Sequence, residues 1–350
     1  MTTQATTRSS EPRTTAAPAG AGADALWPEP FWSPRGRVPT EVDPGAGLAS
    51  QPTGQGPSWF DSIFLVGQVR AAGYEFGYLV HVLRQPEHDL RHQVIAVTSS
   101  TAGRFASHAA NLGADELRWD DTSLHVETPG LTWTGDLENQ KIVARAPWGA
   151  LDLALHPEGP VLYYAGTGSF PLLSAQQYQY ALPRMATSGT LTADGTTWDV
   201  TGESWLDRQW GAQPDLRTNR WTWMNLTLSN GDSLALWDAR SVDGTGPEES
   251  WATVLHADGT HELIPVTPLA EEAGRLWHSP RGSYVFPTRW TVDIPARQAT
   301  LTVTATVLEQ EVPGLGPTSA YEGAATVTGI YEGAEVTGRT YIEQVGNWTA

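Results

Sequence analysis

The chain has 350 residues, more than one hydrophobic core usually organises, so two domains are expected. A net charge of −18 with a single lysine, Lys141, argues against tracking a phosphate backbone or an anionic lipid surface, since both need clustered positive charge. The absence of cysteine removes disulfides, thiolate metal sites and cysteine nucleophiles.

With 35 Gly and 25 Pro among abundant Thr and Val, the chain is punctuated as short strands joined by turns are, and an all-β fold of antiparallel strands is predicted. Residues 1–50 lack hydrophobic periodicity and read as a mostly disordered leader without a secretory signal. Trp27, Phe31 and Trp32 interrupt it, either docking on a domain, closing a pocket or exposed by chance. No stretch approaches the roughly 20 apolar residues that span a bilayer, so a cytoplasmic protein without stable membrane insertion is expected.

An N-terminal β domain is predicted over residues 51–215, with strands at 63–70, 74–83, 92–99, 124–127, 131–134, 141–146 and 151–156. A hairpin follows at 189–200 around Asp194-Gly195. Helix is expected only as a short piece, at 170–179 or 270–275. The C-terminal domain, 216–350, has its clearest strands at 300–308, 326–331 and 338–345, spaced as in a closing barrel or sandwich.

Chemistry concentrates in Gly202-Glu203-Ser204-Trp205-Leu206-Asp207-Arg208-Gln209-Trp210-Gly211, followed by Arg220-Trp221-Thr222-Trp223-Met224-Asn225. In an extended strand Trp205, Asp207 and Gln209 share one face and Leu206, Arg208 and Trp210 the other. Asn230-Gly231 is a two-residue turn signal, and pairing outward from it sets Trp223 opposite Asp238, Trp221 opposite Arg240 and Asn225 opposite Leu236. One face then mixes Trp, Asn, Asp and Arg, as a ligand cavity does, while Met224, Leu226, Leu228, Ala235 and Trp237 form core.

These segments resemble the signature of the lipocalin-like carotenoid hydratase (hydroxyneurosporene synthase) and AttH-type family, which includes fungal decalin-forming cyclases. Tyr178 to Arg184 with Gly189 resembles its Tyr-rich lead-in, and Gly338-Arg339-Thr340-Tyr341-Ile342-Glu343-Gln344-Val345-Gly346 its closing strand. The resemblance implies two lipocalin-like domains, β-sandwich or β-barrel in form, holding a small hydrophobic substrate without a cofactor. It carries Trp205, Asp207, Trp210, Trp221 and Trp223 over as functional positions; Asn225, Asp238, Tyr178 and Tyr341 complete the expected binding set, with Asp207 and Trp223 as the catalytic pair.

Asp207 reads two ways: a structural carboxylate paired with an arginine such as Arg208 or Arg217, or an acid whose proton is retained by burial among indoles. Most of the 16 Trp are core in the plainer reading, and Glu203, Arg208 and Glu343 read as ion pairs at a barrel mouth. His88 and His92 flank a polar turn, so no metal site is expected, and Ser204 lies in no nucleophile elbow. Three functions fit: a cofactor-independent cyclase of an elongated polyene or polyketide-type intermediate, placed first; a hydratase or lyase with Asp207 as acid; and a non-catalytic carrier.

Overall fold

In the computed structural model, residues 31–32, 41–51, 58–269, 273–314 and 319–346 are described. The fold is all-β: two large antiparallel sheets, of 13 and 11 strands, curl beside each other. The first is built from strands between Trp59 and Ala212 and centres on Trp59–Ala71, Thr196–Ala212 and Ala175–Ala193. The second centres on Asn219–Leu228, Ala334–Val345 and Ser319–Tyr331.

Each sheet curls around an apolar core of its own. Ile63, Leu65, Val80, Ile95, Trp133, Ile142 and Leu206 fill the first, while Met224, Leu226, Leu236, Trp290, Val292 and Ile342 fill the second. A third cluster lies between the sheets, where Phe64, Val66, Leu79 and Trp205 meet Trp221, Trp223, Trp237 and Tyr341. This explains the unbroken apolar run around Phe64 in strand Trp59–Ala71, since both of its faces are covered. At Gly77 an added Cβ would lie 2.5 Å from the Cβ of Ala324, so a side chain there would collide with the opposite sheet. Gln68 Nε2 bridges the sheets by donating to Thr340 O at 2.9 Å and Ala325 O at 3.1 Å.

The Asp194-Gly195 hairpin forms as expected, with Ala193 paired to Thr196 and both turn residues at positive φ. Asn230-Gly231 does not make a two-residue turn. Asn230 Oδ1 accepts from Asp232 N at 3.1 Å and Leu228 N donates to Asp232 O at 3.0 Å, so Thr227, not Leu228, pairs with Ser233. The register slips by one: Trp223 faces Trp237, Trp221 faces Ala239, Asn225 faces Ala235, and Asp238 pairs with Thr222. A slip of one residue changes the face of every partner. Trp237 and Ala235 therefore join the inter-sheet face, and Asp238 turns away from it.

Two further expectations are corrected. Residues 41–51 are not a disordered leader end: Val42, Leu48 and Ala49 are buried, and Trp119 Nε1 and Tyr180 Oη donate to Leu48 O and Pro44 O at 3.2 and 2.8 Å. Phe31–Trp32 pairs along the edge strand His261–Pro265, and Trp27 lies outside the described residues. The proposed helix at 170–179 is instead two strands, Ser169–Leu172 and Ala175–Ala193; of 270–275, Ala273–Gly274 is a strand and 270–272 lie outside the described residues. The α-helix among the described residues, Pro44–Gly47, is one turn.

Segment 41–51 is fastened through a buried ion pair. Arg208, wholly buried, contacts Asp61 Oδ1 at 2.6 Å, donates to Ala49 O at 2.7 Å and lies 4.5 Å from the centroid of the Trp119 ring. Asp61 also receives Arg84 at 2.8 Å and Gln51 N at 2.9 Å. Removing one partner of such a pair strands the other charge in an apolar interior. Asp61→Ala is expected to cost about 3–5 kcal/mol in urea unfolding; a loss below about 1 kcal/mol, the scale of a surface pair, would contradict this role.

Candidate active site

A cavity enclosing about 1110 Å³ of empty space, part of it open to solvent, lies between the two sheets. Strand register builds its walls. On the first sheet one row runs Asp207, Phe64, His81, Val94 across neighbouring strands, and the next runs Gln179, Gln209, Ser62, Leu83, His92. On the second, Trp237, Trp223, Glu343 and Glu322 form one row and Ala239, Trp221, Val345 and Ala320 the next. Linker residues Gln213, Pro214 and Leu216, with residues 312–314, complete the lining.

Asp207 is the centre of a buried hydrogen-bond chain. Trp205 Nε1 donates to its Oδ1 at 3.0 Å, and Tyr164 Oη donates to Oδ2 at 2.9 Å and Oδ1 at 3.1 Å. Trp223 Nε1 in turn donates to Tyr164 Oη at 2.9 Å, which links the catalytic pair expected from sequence through a tyrosine. The arginines considered as partners are occupied elsewhere: Arg208 pairs with Asp61 and Arg217 with Asp215. Burial therefore dominates. It pushes the Asp207 carboxyl up to about 8, helped by the nearby Glu343 and opposed by hydrogen bonds from Trp205 and Tyr164.

Tyr164 reaches Asp207 because a one-turn 3₁₀ segment, Tyr164–Gly166, is clamped by the second sheet. Tyr163 N donates to His261 Nε2 at 3.0 Å and Ala165 N to Thr253 Oγ1 at 2.9 Å, holding Ala165 at a φ of 52°. Burial lowers His261 to about 4, so it stays neutral and able to accept that bond at ordinary pH. Tyr164 itself is held protonated, first by burial and then by the adjacent Asp207.

Besides serine and glutamine side chains, the remaining polar groups of the cavity are two imidazoles and two carboxyls, each shifted by burial toward its neutral form. Burial lowers His81 to about 3, and it shares a 2.9 Å hydrogen bond with Ser62 Oγ; burial lowers His92 as well, whose Nδ1 meets Asn111 Oδ1 at 3.0 Å. Glu343 is raised by burial despite a 2.7 Å bond from Trp221 Nε1, and Glu322 is raised by burial and by Glu343 beside it. Among the described residues, no group of three or more His, Asp or Glu is placed to hold a metal ion.

Of the residues expected from sequence, the structure brings Asp207, Trp221 and Trp223 to this cavity, with Trp205 against Asp207. Asn225 and Tyr341 line a smaller space of about 320 Å³ behind Trp205, where Asn225 Oδ1 accepts Tyr341 N at 2.6 Å. Tyr178 and Trp210 stack on each other at 5.9 Å on the opposite face of the first sheet. Asp238 points into the second sheet's own interior side, near Arg240 at 3.5 Å and Leu269 N at 3.3 Å. Among the described residues Glu343 makes no barrel-mouth ion pair; it is a half-buried acid of the cavity wall. Tyr164, His81 and Glu322 were missed. His81 lies between Leu79 and Leu83 and Glu322 between Ala320 and Ala324 on their strand faces, a readable signal, whereas Tyr164 sits in a turn with no periodicity to mark it.

Fold and site together define a two-sheet lipocalin-like protein with an aromatic-walled cavity between the sheets. The AttH-like family profile matches residues 67–347, and the chain belongs to that family. It is 23% identical over 333 residues to kievitone hydratase of Fusarium solani subsp. phaseoli, covering 91% of this chain and 90% of that protein. It is 27% identical over 215 residues to dehydratase asqC of Emericella nidulans, covering 59% of this chain and only 60% of asqC. Among solved structures, an AttH protein from Nitrosomonas europaea aligns with a TM-score of 0.71 at 22% identity, covering 82% of this chain and 92% of its own. Kievitone hydratase from Nectria haematococca aligns at 0.70 and 20% identity, over 83% and 90%.

A stability signature follows from Asp207. Its carboxyl ionises near 3.8 when unfolded and near 8 when folded, so the native state holds the extra proton between those values. The stabilisation from the neutral carboxyl is complete below the unfolded value and is lost as pH rises through the folded one. Asp207→Asn cannot ionise, so its melting temperature is expected to fall less than that of the wild type between about pH 5 and about pH 8. Parallel curves for the two proteins would show an ordinary, ionised Asp207.

Proposed function

We propose that the cavity hosts acid-catalysed addition or removal of water at a C=C bond of a small, mostly apolar substrate, with Asp207 as proton donor. The observation that carries this reading is a buried carboxyl, with no arginine or lysine at its side among the described residues, hydrogen-bonded by Trp205 and Tyr164 and facing an indole-walled cavity. In the hydration direction the Asp207 proton moves to one alkene carbon. Cationic charge develops at the neighbouring carbon, where the indoles of Trp221, Trp223 and Trp237 offer their electron-rich surfaces. Water adds there and its second proton returns to Asp207, leaving the enzyme as it began. Dehydration is the same path reversed, with Asp207 protonating the departing hydroxyl.

Tyr164 and Trp223 position the carboxyl, and burial keeps its proton available near neutral pH. His81 is too weakly basic to carry that proton and serves as a polar contact to the substrate. The hydratase and dehydratase names of the two sequence relatives support this chemistry over the cyclisation that the sequence placed first. Cyclisation would need the cavity's shape but not its proton.

The test is incubation in D₂O with kievitone and a panel of linear and cyclic alkenes, analysed by mass spectrometry. A hydrated product with deuterium on carbon is expected, with Asp207→Asn slower by roughly 10²- to 10⁴-fold. The rate is expected to be level below pH 8 and to fall about tenfold per unit above it, as the acid loses its proton. A ring-closed product without deuterium, at an unchanged rate in Asp207→Asn, would establish the cyclase instead. Binding without turnover of any compound would leave a carrier.

A further inference from the structure

Glu322 and Glu343 are direct cross-strand neighbours in strands Ser319–Tyr331 and Ala334–Val345, and both line the cavity. Like charges in that relation repel. The Glu343 carboxyl has one fixed donor, Trp221 Nε1 at 2.7 Å. Glu322 is only 5% exposed, and its Oε2 has no hydrogen-bond partner among the described residues. A buried carboxyl oxygen left unpartnered is costly in a folded protein and calls for a ligand that completes it.

We propose that the Glu322–Glu343 pair is the docking point for a protonated amine on the substrate, a role that rests on the cavity being the substrate site. Three independent features select a cation. No lysine or arginine appears among the described lining residues, so the negative charge of an ionised pair has no internal counterion. The indole of Trp223 is the next cross-strand neighbour of Glu343, and Trp221 and Trp237 stand beside it, giving an ammonium group aromatic faces as well as carboxylates. The whole protein carries a charge of −18, which draws cations toward it and repels anions.

Chemically, an ammonium group takes the place of the proton that the pair holds when empty. A hydroxyl group satisfies one oxygen but neutralises no charge, and a carboxylate or phosphate adds repulsion to a cavity that offers no cation. The substrate class is therefore an apolar, unsaturated molecule carrying one basic nitrogen, with its alkene toward Asp207 and its nitrogen toward Glu322.

Phenylbutylamine, phenylbutanol and phenylbutyrate, matched in size, separate these cases when their binding to the full-length protein is measured by calorimetry at neutral pH. The amine is expected to bind at least about tenfold tighter than the alcohol, the carboxylate not at all, and the amine-to-alcohol ratio to fall near one in Glu322→Gln. An alcohol binding as tightly as the amine, or a ratio that persists in Glu322→Gln, would overturn the proposal while leaving the acid chemistry of Asp207 standing. Binding of none of the three by folded wild type would overturn it together with the reading of the cavity as a substrate site. Should Glu322→Gln not fold, calorimetry of the wild type in two buffers of different ionisation enthalpy decides instead. Amine binding is expected to release a proton and alcohol binding none; equal release would refute the role.

Discussion

Burial of the Asp207 carboxyl without a cation beside it is the constraint on which the site depends, and strand alternation is what enforces it. Residues 207 and 208 are an acid and a base adjacent in sequence, yet they point to opposite faces of the same strand. Arg208 turns into the first sheet's own core, where Asp61 at 2.6 Å satisfies it. Asp207 turns toward the second sheet, where it finds indole and phenol donors rather than a guanidinium. A carboxylate there would be stabilised by hydrogen bonds alone, and desolvation outweighs them.

That arrangement requires both sheets. The first supplies Asp207, Trp205 and the cavity floor, whereas Trp223 and the clamp on the Tyr164 turn come from the second. Phe64 meets Trp223 edge to face at 5.6 Å, so the two sheets touch through aromatic rings at the same point where the hydrogen-bond chain crosses between them. Apposition of the sheets thus buries the carboxyl and brings its donors together. Loosening it would lower the Asp207 pKa toward its ordinary value and scatter the positioning groups together.

Much of this was legible in the sequence, because alternation in long strands is robust. The pairing of Trp205 with Asp207 on one face and the separation of Arg208 onto the other follow from a period of two, and the Asp194-Gly195 hairpin follows from its turn residues. The failures have specific physical origins. Asn230-Gly231 carries a hairpin signal, but the Asn230 side chain bonds Asp232 N and lengthens the loop, which moves Asp238 out of the site and Trp237 into it. Tyr178 and Trp210 belong to the recognisable motif, yet their alternation places them in a core stack. Tyr164 was invisible because its position depends on contacts with residues 253 and 261, far along the chain. Glu322 meets Glu343 only once the register of two distant strands is known.

A neutral Asp207 in the resting protein at physiological pH can be detected without any substrate. Carbon-13 NMR of protein labelled at the aspartate side-chain carboxyl, compared with Asp207→Asn to assign the resonance, reads its ionisation directly. A resonance that titrates near 8 is the predicted result. One that titrates near the ordinary aspartate value of about 4 would show an ionised carboxylate at neutral pH and contradict the account.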